Sequence, residues 1–387
     1  MNVGIDCIAL PENFSGAANY IINLTKSLLK AERSFNIQVY CKKQHGSLFK
    51  KYMHAGDQLI LIKISNRIHK LLYYEKFLSK KLLQHNTDIF LATHYITPAE
   101  NPGYKIITIF HDMGFILHKE YYPFIKKKYF QLMIPKSVKR SEKIITVSQS
   151  TLKDLNSTFP ESRSKSIFIY PGTDHLKTFA STTLNSETAH SPYILAVNSF
   201  EKRKNIPFLI DVFNIMKKDY DIMHNLVIVG RMNNGYSDLK HKYKTSPYSR
   251  NIFLRQDIRG NELKDLYQRA DLFLNASVYE GFGFTPLEAI SQNCPAFLFS
   301  NNVCKELFRD HPYLIDSINP HIWAEKIYFE MRNNYPGKIS YDSLSGLSWQ
   351  KCAFNFISLF NSLTGTSHAQ RRHSDYNQPH PELRQCS

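Results

Sequence analysis

Two glutamates, Glu280 and Glu288, stand with seven residues between them in the run Val278-Tyr279-Glu280-Gly281-Phe282-Gly283-Phe284-Thr285-Pro286-Leu287-Glu288. Carboxylates so placed can accept hydrogen bonds from the hydroxyls of a ligand. The glycines between them permit positive φ and a close approach of backbone. Thr285 reads as an N-cap, Pro286 as the first helical residue and Glu288 as the third. A helix N-terminus following a strand candidate, Leu272-Phe273-Leu274, directs unpaired N–H groups and a dipole at an anion. A second group, Asn198-Ser199-Phe200-Glu201-Lys202-Arg203-Lys204-Asn205, brings fixed positive charge to another strand end, which suits a phosphorylated ligand. His111-Asp112 follows the apolar run Ile106–Phe110. Spacing alone leaves a plainer reading open for each. Thr285-x-x-Glu288 also fits a capping box, Lys202-Arg203-Lys204 a solvated turn, and His111 a satisfied core residue with Asp112 as its support or a helix cap.

Positioning such groups requires strands that end at one edge. Short apolar runs at 2–8, 35–40, 59–64, 89–92, 106–110, 144–147 and 167–170 alternate with helix-length segments. The same alternation resumes at 194–197, 226–229, 252–254, 272–274, 296–299 and 313–315. This predicts two parallel sheets with crossover helices, whose carboxyl edges hold ligands. Gly230-Arg231 and Arg255-Gln256-Asp257-Ile258 fall on that edge as well. Asp219-Tyr220-Asp221 has the spacing of a metal-binding carboxylate pair but ends a helix candidate, so it reads as a turn, and no metal is expected. Residues 176–191, rich in Ser and Thr, read as a linker, and 364–387 as a disordered, dispensable tail.

The 387 residues suit two domains. The formal charge of +16 points to an anionic partner: a phosphorylated substrate, a membrane surface or, ranked last for want of any recognition motif, nucleic acid. Segments 67–83 and 121–143 interleave lysines with aromatic and aliphatic residues, a pattern shared by interfacial helices and by helices packed on a sheet. No apolar run approaches the roughly 18 residues that span a bilayer. The N-terminus, with Asp6 in its first apolar run, reads as a strand and not a signal peptide. Six cysteines without paired spacing fit reduced thiols in the cytosol.

Glu280-Gly281-Phe282-Gly283-x-x-x-x-Glu288, followed by Ala289-Ile290 and Cys294-Pro295-Ala296, resembles the donor-site signature of retaining family 4 glycosyltransferases of the GT-B fold. The resemblance covers roughly residues 1–363. It implies an α/β architecture of two Rossmann-like, doubly wound parallel-sheet domains facing a cleft. Residues 1–175 would receive the acceptor, 192–348 the nucleotide sugar, and a helix over 349–363 would cross back to the first domain. The implied substrates are a GDP- or UDP-linked sugar, mannose among them, and a glycan or lipid-linked acceptor of a surface polysaccharide such as O-antigen. Location would be cytoplasmic or peripheral on the membrane's inner face, with no metal or cofactor. Carried onto this chain, Lys204 and Arg203 hold the donor phosphates and Glu288 the ribose. His111, Glu280 and the backbone of Gly281, Phe282, Gly283 and Phe284 orient the sugar, beside the helix start at Thr285. Gly230, Arg231, Gln256, Asp257 and Ile258 lie where the base sits. Gly16 and Tyr20 match the family's Gly-x-Gly-x-Tyr loop, while Ala18 stands at its second glycine. Asn198 likewise replaces a glycine and Ser199 a frequent arginine. Two alternatives stay open: a sugar-nucleotide epimerase of the same fold, and a non-catalytic sugar-nucleotide or membrane-surface scaffold.

Overall fold

The computed structural model describes residues 1–10, 16–99, 103–178, 191–258, 260–309, 312–333 and 346–364. Most of the expected linker and the expected tail beyond Thr364 lie outside these residues. The first sheet comprises β1 (Asn2–Cys7), β2 (Asn36–Lys42), β3 (Gln58–Ile62), β4 (Ile89–Ala92), β5 (Lys105–Phe110), β6 (Lys143–Thr146) and β7 (Ser166–Phe168), in the order β3-β2-β1-β4-β5-β6-β7. The second comprises β8 (Tyr193–Val197), β9 (Asn225–Val229), β10 (Ile252–Arg255), β11 (Leu272–Asn275), β12 (Ala296–Phe299) and β13 (Leu314–Ile315), in the order β10-β9-β8-β11-β12-β13. Every pairing is parallel, as the alternating apolar runs predict. The central strands β4, β8 and β11 are buried along their whole length, because helices cover both faces of such a sheet. Strand order reverses between β1 and β4, and again between β8 and β11. Those two switch points open crevices at the carboxyl edge.

Two helix readings change. The segment 67–83 is not one regular helix: Arg67–Leu72 and Leu78–Gln84 are joined by a wide π-type turn, Tyr73–Phe77. The turn brings Tyr74 inward, where its hydroxyl donates to Asp6 Oδ2 at 2.6 Å. The basic segment after Tyr121 becomes the helix Phe124–Arg140, which buries Phe130, Met133, Ile134 and Val138 and leaves Phe124, Ile125 and Leu132 exposed. Both the core and the interfacial pattern are therefore present in one helix.

The C-terminal helix Trp349–Thr364 packs on the helix Gly16–Lys30 of the first domain. Phe360 meets Phe35 edge-on at 5.8 Å, and Lys105 Nζ donates to Leu363 O at 2.5 Å. Asp219 lies in the last turn of the helix Ile206–Tyr220, and Asp221 caps it with φ +48°, so the pair forms a helix-to-strand turn. Cys7, Cys41, Cys294, Cys304 and Cys352 are free and buried. Among the described residues no helix is long and apolar enough to cross a membrane.

Candidate active site

The chain leaves β11 through Asn275, whose Oδ1 accepts from Ser277 N at 2.9 Å. It then runs to Gly283, which caps the helix Phe284–Ser291 at φ +80°. The helix therefore starts two residues before Pro286, and Thr285 is not its N-cap. Left-handed backbone at Gly283 turns the chain early, and the Thr285 hydroxyl accepts instead from Asn275 Nδ2 at 3.2 Å. Pro286 still falls in the first turn, where its missing N–H costs no helical bond.

The capping-box reading of Glu288 also fails. Its Oε1 accepts from His175 Nε2 at 2.9 Å and its Oε2 from the Tyr267 hydroxyl at 3.0 Å, so the carboxylate points sideways and not back to a cap. Each oxygen keeps acceptor capacity for a further donor.

Glu280 lies on the basic turn Lys202–Lys204. Lys204 Nζ donates to its Oε1, and Arg203 Nη1 stands 3.5 Å from its Oε2. Arg203 also donates through Nη1 to Tyr279 O at 2.8 Å and through Nε to Glu201 Oε2 at 2.7 Å. Burial alone would raise both carboxyls. Lys204 and then Arg203 outweigh it at Glu280, which sits below the usual range, and Arg203 with Lys204 brings Glu201 down to about 2. The result is a buried, charge-balanced cluster of two carboxylates and two cations. Ser199, where the family pattern has an arginine, donates its hydroxyl to Glu201 Oε1 at 2.9 Å.

His111 follows β5. Its Nε2 lies 2.8 Å from Thr93 O; a carbonyl only accepts, so the proton is assigned to Nε2 and Nδ1 is left as an acceptor. Burial holds the imidazole below its ordinary pKa, and hence neutral. Asp112 Oδ1 accepts from Gly114 N at 2.9 Å, a turn-capping contact. Gly16 opens its helix exposed, and a Cβ there would lie 3.8 Å from Phe284, so it faces the start of the helix Phe284–Ser291; Pro11 to Ser15 lie outside the described residues. Gly230 and Arg231 follow β9, and Gln256, Asp257 and Ile258 follow β10, one and two strands out from β8, whose end carries Lys204. Arg231 Nε is 3.4 Å from Asp257 Oδ1, Gln256 is exposed, and a Cβ on Gly230 would strike Asn198 O at 1.9 Å.

The two domains clasp the loop. A Cβ on Gly281 would lie 1.7 Å from His111 O, so only glycine fits. Gly281 O accepts from Ser148 Oγ at 2.7 Å. The Tyr279 hydroxyl accepts from Met113 N and donates to Asp154 Oδ2, each at 2.9 Å. Glu306 of the second domain accepts from Gln149 N at 2.8 Å and Ser150 N at 2.6 Å, at the start of the helix Gln149–Thr158, and from Tyr170 Oη at 2.8 Å. Sequence reasoning gave no partner to Glu306 and no role to Tyr279, His175 or Tyr267. Apart from Tyr267 to Glu288, the side-chain hydrogen bonds described for them span more than 100 residues, so no local spacing signals them. Among the described residues, Tyr20 Oη, Trp349 Nε1 and both amide atoms of Asn198 are buried without a hydrogen-bond partner. Tyr20 lies against His111 (ring centroids 5.0 Å apart), Trp349 stacks on Phe284 at 6.4 Å, and Asn198 ends β8. Unsatisfied polar atoms cluster in this way where a ligand completes the bonding.

Comparison with known proteins agrees with this geometry. Residues 14–176 match the family model "Glycosyltransferase Family 4", and residues 184–339 match "Glycosyl transferases group 1". The chain is 25% identical over 325 residues to the O-antigen chain mannosyltransferase RfbU of Salmonella typhimurium, covering 79% of this chain and 87% of the relative. It is 22% identical over 272 residues to O-antigen chain mannosyltransferase B of Escherichia coli, covering 67% and 71%. The fold resembles that of sucrose-phosphate synthase from Thermosynechococcus elongatus, with a TM-score of 0.74 at 14% identity over 95% of this chain and 99% of that one. With one model on each parallel-sheet domain and a glycine-bearing loop clasped between them, the chain belongs to the family 4 (group 1) glycosyltransferases of the GT-B fold.

Proposed function

We propose that this glycosyltransferase moves a hexosyl group, with mannose the first donor to test, from a GDP- or UDP-sugar to a hydroxyl of a glycan or lipid-linked O-antigen intermediate, retaining anomeric configuration and needing no metal. The observation that carries the reading is the convergence of Lys204, Arg203 and Glu280 with the start of the helix Phe284–Ser291 at the β8/β11 switch point. A departing diphosphate is stabilised by preorganised positive charge in a water-poor site. Two cations with buried side chains and a helix N-terminus supply it there.

In this reading Glu288 accepts the ribose hydroxyls with the capacity left by His175 and Tyr267. His111 and the loop backbone from Gly281 to Phe284 orient the sugar, and the residues after β9 and β10 border the base. Glu280 is assigned no nucleophilic role, because a carboxylate with both oxygens on cations is a weak nucleophile; its work is to fix Lys204 and Arg203. The mannosyltransferase relatives support mannose and O-antigen as the first chemistry to try.

The test is donor turnover. The full chain, given GDP-mannose or a UDP-hexose with a lipid-linked saccharide acceptor in chelator, should release nucleoside diphosphate only when acceptor is present. Proton NMR of the product should show the donor's anomeric configuration. Acceptor-independent release of an epimerised free sugar would replace the proposal with epimerase activity. Nucleotide binding without release under either condition would favour a sugar-nucleotide scaffold, and absence of nucleotide binding a membrane-surface one.

A further inference from the structure

We propose that Glu201 is a positioning residue of the transfer reaction. It locks the Arg203 guanidinium with one N–H edge open for the donor's diphosphate, inside a hydrogen-bonded circuit that begins and ends on the first domain. The proposal rests on the transferase reading above and deepens it, by making the phosphate end of the donor site depend on where the first domain sits.

The circuit starts at Tyr121 of the first domain, whose O accepts from Asn234 Nδ2. Asn234 N donates to Asn233 Oδ1 at 2.9 Å, and Asn233 Nδ2 donates to Glu201 Oε1 at 3.2 Å. Ser199 Oγ donates to the same oxygen at 2.9 Å, which leaves Glu201 Oε2 to accept from Arg203 Nε at 2.7 Å. Arg203 Nη1 donates to Tyr279 O at 2.8 Å. The Tyr279 hydroxyl then returns to the first domain, accepting from Met113 N and donating to Asp154 Oδ2.

An arginine side chain loses rotamer freedom whenever a ligand fixes it. Here Nε and Nη1 are already committed, so the planar guanidinium holds one orientation before any ligand arrives. Nη2 makes no hydrogen bond with a described residue, and the side chain keeps 13% of its surface exposed. That edge is the part of Arg203 that a phosphate oxygen can reach. Charge fixed in advance binds and stabilises a departing diphosphate better than mobile charge does. Burial would raise the Glu201 carboxyl, yet Arg203 and then Lys204 bring it down to about 2, so the lock stays ionised at neutral pH.

The experiment is calorimetric binding of GDP and UDP, and of guanosine and uridine, to the full chain. Glu201→Ala should weaken the bound diphosphate roughly tenfold, as misplacing one charge-assisted contact does, and leave nucleoside affinity at the parent value. In an Arg203→Ala chain the same change should cost nothing further, because the side chain it positions is gone. Glu201→Gln keeps an acceptor for Arg203 Nε and should lose only about threefold. Asn234→Ala cuts the circuit at its first-domain end and touches neither Glu201 nor Arg203; the diphosphate should again weaken about threefold, the size of one neutral hydrogen bond, with nucleoside affinity kept. A loss shared equally by diphosphate and nucleoside, or one that adds in full to Arg203→Ala, would reveal general loosening and overturn the positioning role. Unchanged diphosphate affinity in Glu201→Ala would overturn it too, and unchanged affinity in Asn234→Ala would overturn the tie to the first domain. A parent chain that binds neither GDP nor UDP would overturn the donor reading itself, and the proposal with it.

Discussion

Lys204 and Glu280 depend on each other, and that dependence shapes what a substitution at either position does. Lys204→Ala removes one of two cations from a buried carboxylate, so it should lower both nucleoside-diphosphate affinity and melting temperature. The loss should be about 1.5–3 kcal/mol in affinity, with a comparable loss of stability from the uncompensated charge. Adding Glu280→Gln should restore most of the melting temperature and none of the affinity. A double variant that recovers binding would show that Lys204 only neutralises its neighbour. Glu288 allows a second test. In Glu288→Gln the amide presents donors where His175 and Tyr267 also donate, so nucleoside-diphosphate binding should weaken by about 1–3 kcal/mol and folding should weaken modestly. Normal affinity, measured by calorimetry, would leave Glu288 a structural residue. The sequence marked both glutamates because their types and spacing are local. It could not show that Glu288 turns away from the helix cap, because His175 is 113 positions distant.

Elements carry the second layer. Glu306 holds the start of the helix Gln149–Thr158 from across the domain boundary, placing a negative charge against its unpaired N–H groups. Glu306→Ala should therefore favour an open arrangement. Small-angle scattering should show a larger radius of gyration without nucleotide, shrinking toward the parent value when donor is added, and KM should rise more than kcat falls. An unchanged scattering curve would mean that the Gly281 and Tyr279 contacts close the cleft alone. Strands were legible from the sequence because parallel, doubly covered strands read as unbroken apolar runs such as Ile89-Phe90-Leu91-Ala92. Helix starts were less so: Thr285-Pro286 carries a strong local start signal, yet Gly283 in left-handed conformation overrides it. The wide turn at Tyr73–Phe77 has no composition of its own, since it exists to seat Tyr74 on Asp6.

At the scale of the molecule, the charge of +16 sits on a fold whose first domain exposes Phe124 and Ile125 beside Lys126, Lys127 and Lys128. Anionic liposomes should sediment the protein at low salt and release it as screening rises. Equal recovery with neutral liposomes, or none with either, would reduce these residues to ordinary surface. The two-sheet plan was readable from the repeated alternation, whereas the clasp between the halves was not, because it is built from contacts between segments that no periodicity links. The helix Trp349–Thr364 has a consequence for biosynthesis. It buries Trp349, Cys352, Ala353, Phe356 and Phe360 and lies on the helix Gly16–Lys30, near the other end of the chain. During translation the first domain is therefore made early but completed late, and its apolar flank waits uncovered while the whole second domain is synthesised. A messenger truncated ahead of this helix would yield a chain that needs a chaperone on that flank, even with every residue of the donor loop already in place.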